Sequence, residues 1–177
     1  NTKIIDLSNE FRLQKDQHYL EKSYVYGLPE YQKQTIKSAQ AVANPGCFAT
    51  AIQLALLPLA NKGLLQNDVQ VHAITGSTGA GVKPSATSHF SWRNNNVSWY
   101  KPFTHQHLGE INETIQALQS DAANINFLPI RGNFTRGIFA SAYTTFDGNI
   151  DDAYRIYEAY YANHPFTHLS KKELSLK

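Results

Sequence analysis

The chain has 177 residues, 42% of them hydrophobic, with 16 basic and 14 acidic side chains and a formal net charge of +2. That apolar content is enough to bury the core of one domain, or of one domain with an appended piece. The basic residues are scattered without a Lys/Arg block, which argues against a nucleic-acid partner, and no apolar run reaches the roughly 18 residues that cross a bilayer.

The N-terminus has no charged stretch followed by an apolar one, so no secretory signal is read there. The single cysteine, Cys47, cannot form an internal disulfide and fits a reducing compartment. A soluble, cytoplasmic protein is expected. Methionine is absent, and "NTKIIDLSNEF" opens as a strand already under way, the pattern of a piece from a longer protein.

In chain order, "KIIDLS" (Lys3 to Ser8) is a short β-branched run and predicts a buried strand. "VYGLPEYQKQTIKSAQ" places turn chemistry at Gly27 and Pro29 ahead of a short helix. "AVANPG" predicts a brief strand stopped by Pro45 and Gly46. The following "FATAIQLALLPLANKG", apolar on nearly every face, predicts a buried helix kinked or ended near Pro58, with Gly63 as its stop.

"VQVHAITG" (Val69 to Gly76) alternates as a strand. From "STGAGVKPS" through "HFSWRNNNVSWYKPFTHQH" no period is visible, and so long a loop within a domain is usually functional. "LGEINETIQALQS" sets Ile111, Ile115 and Leu118 at helical spacing. "INFLPI" and "GIFASAYTTF" read as strands and hairpin-like neighbours, and "IDDAYRIYEAYYANH" as a helix with a tyrosine-rich face. The expected class is α+β with a mixed or antiparallel sheet.

Four groups of residues carry chemistry. A strand that stops at Asn44, turns through Pro45 and Gly46 and releases into a helix puts Cys47 at a helix N-terminus. There the unpaired N–H groups and the helix dipole favour a thiolate and an oxyanion beside it. Inert packing is the other reading of a lone cysteine, and the turn alone does not choose between them. In "THQHLGEI", His105 and His107 share one side of an extended segment ahead of Glu110, a set suited to general acid/base work. A fourth ligand is not evident, so no metal is expected.

The turn "GSTGAGVKPS" has glycines at 76, 79 and 81 that would let backbone amides approach a ligand, with Lys83 adding charge. Its spacing is neither a Walker loop nor GxGxxG. Arg12, Arg131 and Arg136 lie near turns or strand ends, where a guanidinium can grip a carboxylate or phosphate. Absence of GxSxG leaves a serine hydrolase without support.

"VANPGCFATAIQLALLP" (Val42 to Pro58) resembles the active-site signature of the N-acetyl-gamma-glutamyl-phosphate reductase family, relatives of aspartate-semialdehyde dehydrogenase. "IIDLSNEFRL", "YGLPE", "GSTGAGVKPS", "YKPFTHQHLGEI" and "GNFTRGI" follow in the family's order. The resemblance implies a catalytic domain like that of glyceraldehyde-3-phosphate dehydrogenase. It also implies a reductase in which a cysteine attacks an acyl phosphate, releases phosphate and holds a thioester that NADPH reduces to the semialdehyde. On that pattern Cys47 is the nucleophile and a histidine of the pair, His105 ahead of His107, is the acid/base.

The same pattern makes Glu110 the residue that orients the histidines. Arg12, Asn44, Lys83, Glu110 and Arg136 become candidates for binding substrate, and Gly76, Gly79 and Gly81 for binding NADP. Phe48-Ala49 stands where the family often has Tyr-Pro. Residues 1–41 would be the trailing part of a nucleotide-binding domain and 42–177 a catalytic domain without its C-terminal part. Such a fragment would be inactive alone and part of a homo-oligomer. The neighbouring reading is an aspartate-semialdehyde dehydrogenase; outside enzymes it is a noncatalytic domain binding an anion or a protein partner.

Overall fold

The computed structural model describes residues 2–176 and arranges their strands as two four-stranded sheets. β1 (Ile4–Asp6), β2 (His18–Tyr19), β3 (Lys22–Tyr26) and β4 (Ala41–Ala43) form the first sheet in the order β1-β4-β3-β2. β4 runs parallel to both neighbours, with Ala41 level with Ile4 on one side and Tyr24 on the other. Buried Ala41 and Ala43 leave room for Tyr24, whose ring stacks on Phe11 at 4.0 Å. The β2–β3 hairpin is absent from the expected elements. Its turn has Leu20 at φ 52 in place of the Asn-Gly or Asp-Gly that usually announces such a turn.

α1 (Pro29–Ser38) leads from β3 back to β4. Its proline sits in the first turn, where a missing N–H costs no hydrogen bond. The division expected after residue 41 falls inside β4, which pairs entirely within the first sheet.

Beyond the NPG turn the main chain enters α2 (Cys47–Ala60). A one-turn α3 (Phe90–Arg93), α4 (His107–Leu118) and α5 (Ile150–Tyr161) follow along the chain. The second sheet contains β5 (Val69–Thr75), β6 (Ser98–Trp99), β7 (Ile125–Arg131) and β8 (Ile138–Tyr143), in the order β6-β7-β5-β8. β5 is parallel to β7 and antiparallel to β8, so this sheet is mixed, as expected.

The last two strands are not hairpin partners, however; β5 lies between them. Residues 132–137 cross its C-terminal end, tied there by Gly132 N–H to Thr75 O and Gly76 N–H to Gly137 O. β5 takes the centre because Val69, Val71 and Ala73 bury completely on one face against Phe48, Ile52 and Leu56 of α2 and Ile111 and Ile115 of α4.

α2 is apolar nearly all round because it is covered by the second sheet, α4 and α5. Pro58 lies inside it without breaking it. A proline there removes the N–H that would serve the carbonyl of Leu54, and the hydroxyl of Tyr161 on α5 donates to that carbonyl instead, at 2.5 Å. Gly63, at φ 69, closes the helix as expected, with Gly63 N–H on Ala60 O and Leu64 N–H on Leu59 O.

The aperiodic stretch between β5 and α4 is ordered by one buried side chain. Arg93 directs its guanidinium to the carbonyls of Thr87, Asn96 and Arg131 and to Ser98 Oγ, over 2.9–3.3 Å. No carboxylate accompanies it in these contacts; burial, and then the charge of Arg131, hold its pKa below the ordinary arginine value. It ties the two short helical turns of that stretch to β6 and β7.

Candidate active site

Cys47 is the first residue of α2, with Gly46 as N-cap at φ −64, ψ 149 and no side chain capping the helix. First-turn N–H groups have no intrahelical acceptor, so they face an anion formed near the thiol. The thiol itself is exposed. It borders two openings. One, of about 370 Å³, is shared with Arg12, Tyr100, Lys101, His105, His107 and Arg131; the other, of about 520 Å³, with Asn44, Pro45, Thr50, Ala51, Leu54 and Ile138.

The two histidines come together as expected, 4.6 Å apart between ring centres, against the edge of Phe48. His107 N–H donates to His105 Nδ1 at 3.2 Å, so neutral His105 carries its proton on Nε2. His107 begins α4 and packs against the turn before the nucleophile so closely that a Cβ on Gly46 would lie 2.4 Å from its Nε2. Glycine is required there for that reason. His107 Nδ1 is buried without a hydrogen-bond partner among the described residues.

Both rings are held neutral. Burial, followed by the charges of His107 and Lys101, lowers the pKa of His105 to about 4. His107 is also lowered to about 4, by burial and then by Arg12 and Lys101.

Glu110, 4% exposed, ties the site together. Its Oε1 accepts from Arg12 Nη1 at 3.2 Å and lies 4.0 Å from His107 Nε2. Its Oε2 accepts from the Gly46 amide and the Tyr26 hydroxyl, each at 2.9 Å. Glu110 is therefore hydrogen-bonded to the backbone that carries Cys47 and lies beside His107 without a hydrogen bond to it.

Arg12 borders the cleft, but Nε donates to Asn44 O, Nη1 to Glu110 and Nη2 to Leu7 O, so most of its fork is already engaged by the protein. Asn44 uses its side-chain amide on Pro45 O and faces the second opening.

Lys83 and Arg136 are exposed and border neither opening. The arginine brought to the cleft is Arg131, at the end of β7, with its guanidinium 4.8 Å from the centre of the Tyr100 ring. Tyr100 itself has its pKa raised, first by burial. Arg131 was visible in sequence only as one of three equivalent candidates; Tyr100 was one aromatic among many in the aperiodic stretch.

Most amides of the glycine turn bond to the protein's own backbone. The amides of Gly76, Ser77 and Thr78 donate to Gly137, Phe134 and Thr135, and those of Gly79 and Gly81 bond within the turn. A Cβ on Gly76 would lie 2.7 Å from the Thr135 backbone, so glycine is needed there for its own chain to pass. Gly79 borders the cleft beside Thr75, and Gly81, at φ 77, faces open space.

In fold, the chain is like the aspartate-semialdehyde dehydrogenases. The structure of that enzyme from Francisella tularensis superposes with a TM-score of 0.64 at 12% identity, covering 88% of this chain and 55% of that one. For aspartate semialdehyde dehydrogenase II from Vibrio cholerae the TM-score is 0.59 at 15% identity, covering 86% and 50%. The chain belongs to the semialdehyde dehydrogenase family: the model of its dimerisation domain matches residues 47–177, starting at Cys47 itself.

Among individual relatives, it is 57% identical over its whole length to N-acetyl-gamma-glutamyl-phosphate reductase of Flavobacterium johnsoniae and 56% identical to that of Parabacteroides distasonis. The chain spans about half the length of these curated relatives, 55% and 54%. Among the described residues, no helix is long and apolar enough to cross a membrane.

Proposed function

We propose that this chain carries the thioester-forming half of an N-acetyl-gamma-glutamyl-phosphate reductase. The observation that supports this most directly is the placement of an exposed thiol at an uncapped helix start, bordering a cleft with two buried neutral imidazoles. In this reading the Cys47 thiolate attacks the acyl carbon and the C–O bond to phosphate breaks, leaving a thioester. Arg131 and Lys101 provide the cleft's cationic side for the leaving phosphate.

The neutral imidazoles fit donation to the oxygen of the acyl group. His105, protonated on Nε2, is a hydrogen-bond donor to that oxygen without needing to be charged. His107, closest to the nucleophile's turn and backed by Glu110, is the group that takes and returns the proton. This reverses the order in which the sequence ranked the pair, because the Nδ1 of His105 is already occupied by a backbone amide.

The second opening, with Leu54 and Ile138 as apolar walls and Asn44 as a polar rim, fits a flat nicotinamide ring on the other side of Cys47. NADPH held there would supply the hydride. A structure of the related enzyme from Candida albicans is described with NADP.

The uncovered face of the second sheet, with Phe139 and Tyr143 exposed beside His72, is where a second copy would dock, in keeping with a family model described as a dimerisation domain.

The test is to assay the full-length protein for phosphate-dependent oxidation of N-acetylglutamate semialdehyde and of aspartate semialdehyde, with NADP. Preference for the acetylated substrate is expected. Equal or greater turnover of aspartate semialdehyde would overturn the substrate assignment, and no turnover of either would overturn the reaction.

A further inference from the structure

Tyr26 belongs to the first sheet and lies outside the cleft that contains Cys47 and the histidines, yet it is 5% exposed and its hydroxyl is committed at both ends. It donates to Glu110 Oε2 at 2.9 Å and accepts from Gln53 Nε2 at 2.7 Å. Gln53 is completely buried on α2, five residues before Pro58, and its Oε1 has no partner among the described residues. A polar chain of this kind inside an apolar helix contact costs stability unless each link is made. That it stands here, when Phe and Leu would fill the same space, calls for a purpose beyond packing.

The purpose is visible in what shares Glu110 Oε2. The other donor to that oxygen is the amide of Gly46, the residue before the nucleophile. Glu110 Oε1 faces Arg12 and, at 4.0 Å, His107 Nε2. Four segments therefore meet at one carboxylate: β3 through Tyr26, the NPG turn through Gly46, the chain after β1 through Arg12, and α4 itself. We propose that Tyr26 is a positioning residue for the Cys47–His107 pair, acting through Glu110 to fix the carboxylate between the nucleophile's turn and the imidazole.

With the hydroxyl gone, Oε2 keeps only the Gly46 amide. The carboxylate is then freer to rotate, and less of its charge is neutralised by hydrogen bonds. The groups facing His107 are Glu110 on its own helix, Arg12 from the chain after β1, His105 and Lys101 from the segment before α4, and Cys47 at the start of α2. Of these only Glu110 changes. Its less satisfied charge favours imidazolium, so the titration of His107 moves to higher pH.

This inference rests on reading Cys47 as the nucleophile, and the test separates the two. In the full-length protein, the rate of Cys47 alkylation by iodoacetamide is followed against pH, which needs neither substrate nor cofactor, alongside reductase kinetics. Tyr26→Phe is expected to move a midpoint of the alkylation profile upward by about half a pH unit or more. It is expected to lower kcat about tenfold while KM stays within about twofold, the signature of a lost alignment and not of lost binding.

Because Tyr26→Phe leaves Gln53 buried without a partner, the double variant Tyr26→Phe/Gln53→Leu is measured beside it. An apolar pair of similar shape recovers thermal stability, and the kinetic and profile changes are expected to persist. An unchanged profile and kcat in either folded variant, or recovery of kcat together with Tm in the double variant, would overturn the inference. A wild-type protein that reduces no acyl phosphate overturns the proposed reaction, while its alkylation profile still decides the role of Tyr26.

Discussion

Two walls of one cleft are built in opposite ways. The wall that carries Cys47 and His107 is the junction of α2 and α4, where Phe48, Ile52, Ile111 and Ile115 are all 1% exposed or less and the polar groups converge on Glu110. The facing wall comes from the stretch between β5 and α4, where Phe90, Trp92, Val97, Trp99 and Phe103 lie open to solvent and one arginine organises the backbone. Cys47 and His107 stand on the close-packed elements α2 and α4 that hold them in place. Tyr100 and Lys101, which border the cleft, stand on a segment whose large apolar side chains are mostly exposed. Low local contact density of that kind permits local opening at small cost, so chemistry and recognition are expected to respond to different substitutions.

The most severe break is at the packed wall. Cys47→Ala in the full-length protein should lower reduction by ~10³-fold or more, because the 177 residues hold no second thiol to form the thioester. Since the thiol is exposed, thermal stability should shift by no more than about 0.5 kcal/mol. Residual turnover near the wild-type rate, measured as NADPH consumption, would remove Cys47 from the reaction. His107→Asn and His105→Asn should then separate by kcat, with the larger loss, about 10²-fold, at His107.

A pH titration sharpens the comparison without mutation. His105 and His107 have folded pKa values near 4 against an ordinary 6.5, so between those values the unfolded chain binds more protons. Their contribution to stability is fully present above pH 6.5 and is lost as pH falls toward 4. Thermal melts should therefore show Tm falling on acidification through that window, with a shallower slope in a His105→Asn variant. A flat Tm from pH 7 to 4.5 would show that the rings are not buried neutral.

On the open wall, Arg93→Met keeps an unbranched apolar stem out to the position of Nε and removes every guanidinium bond. It leaves the Thr87, Asn96 and Arg131 carbonyls without their shared donor. Hydrogen exchange should accelerate across residues 85–99 while α2 and α4 keep their protection. Equal loss in α2 would mean that the two walls are one cooperative unit.

Most of this contrast was only half legible in the sequence. The packed wall announces itself: "NPGC" before an apolar run and Ile111 and Ile115 four apart are local patterns whose helices appear where expected, although α4 begins at His107 itself and the pair does not share an extended segment. The open wall is set by long-range contacts that leave no local period. Arg93 looks like any surface arginine until its five donors are counted, and Arg131 resembles Arg136 until β7 is paired. The glycine turn has the same long-range character: nothing local announces that the amides of Gly76, Ser77 and Thr78 bond to the 134–137 backbone while Gly79 borders the cleft. Tyr26 and Gln53, 27 positions apart, are joined only by the packing of the first sheet on α2.

The smallest effect lies at the back of the packed wall. Pro58 removes one hydrogen bond inside α2, and an interior proline ordinarily costs a helix about 3 kcal/mol. Here the orphaned Leu54 carbonyl is served by the Tyr161 hydroxyl, a donor whose acidity is pushed well below the ordinary tyrosine level, first by burial. Tyr161→Phe removes that donor and nothing else of comparable size, so it should cost about 1 kcal/mol in denaturant unfolding. A larger loss, accompanied by faster exchange near Leu54, would show that the helix around Pro58 is held by this bond. A change near zero would show that a water or a bent helix satisfies the carbonyl equally well. Because Leu54 also borders the opening on the far side of Cys47, kcat in the same variant reports whether the pedestal transmits the defect forward. With Phe48 and Ile52 still packed on the sheet between them, kcat should stay within about twofold of wild type.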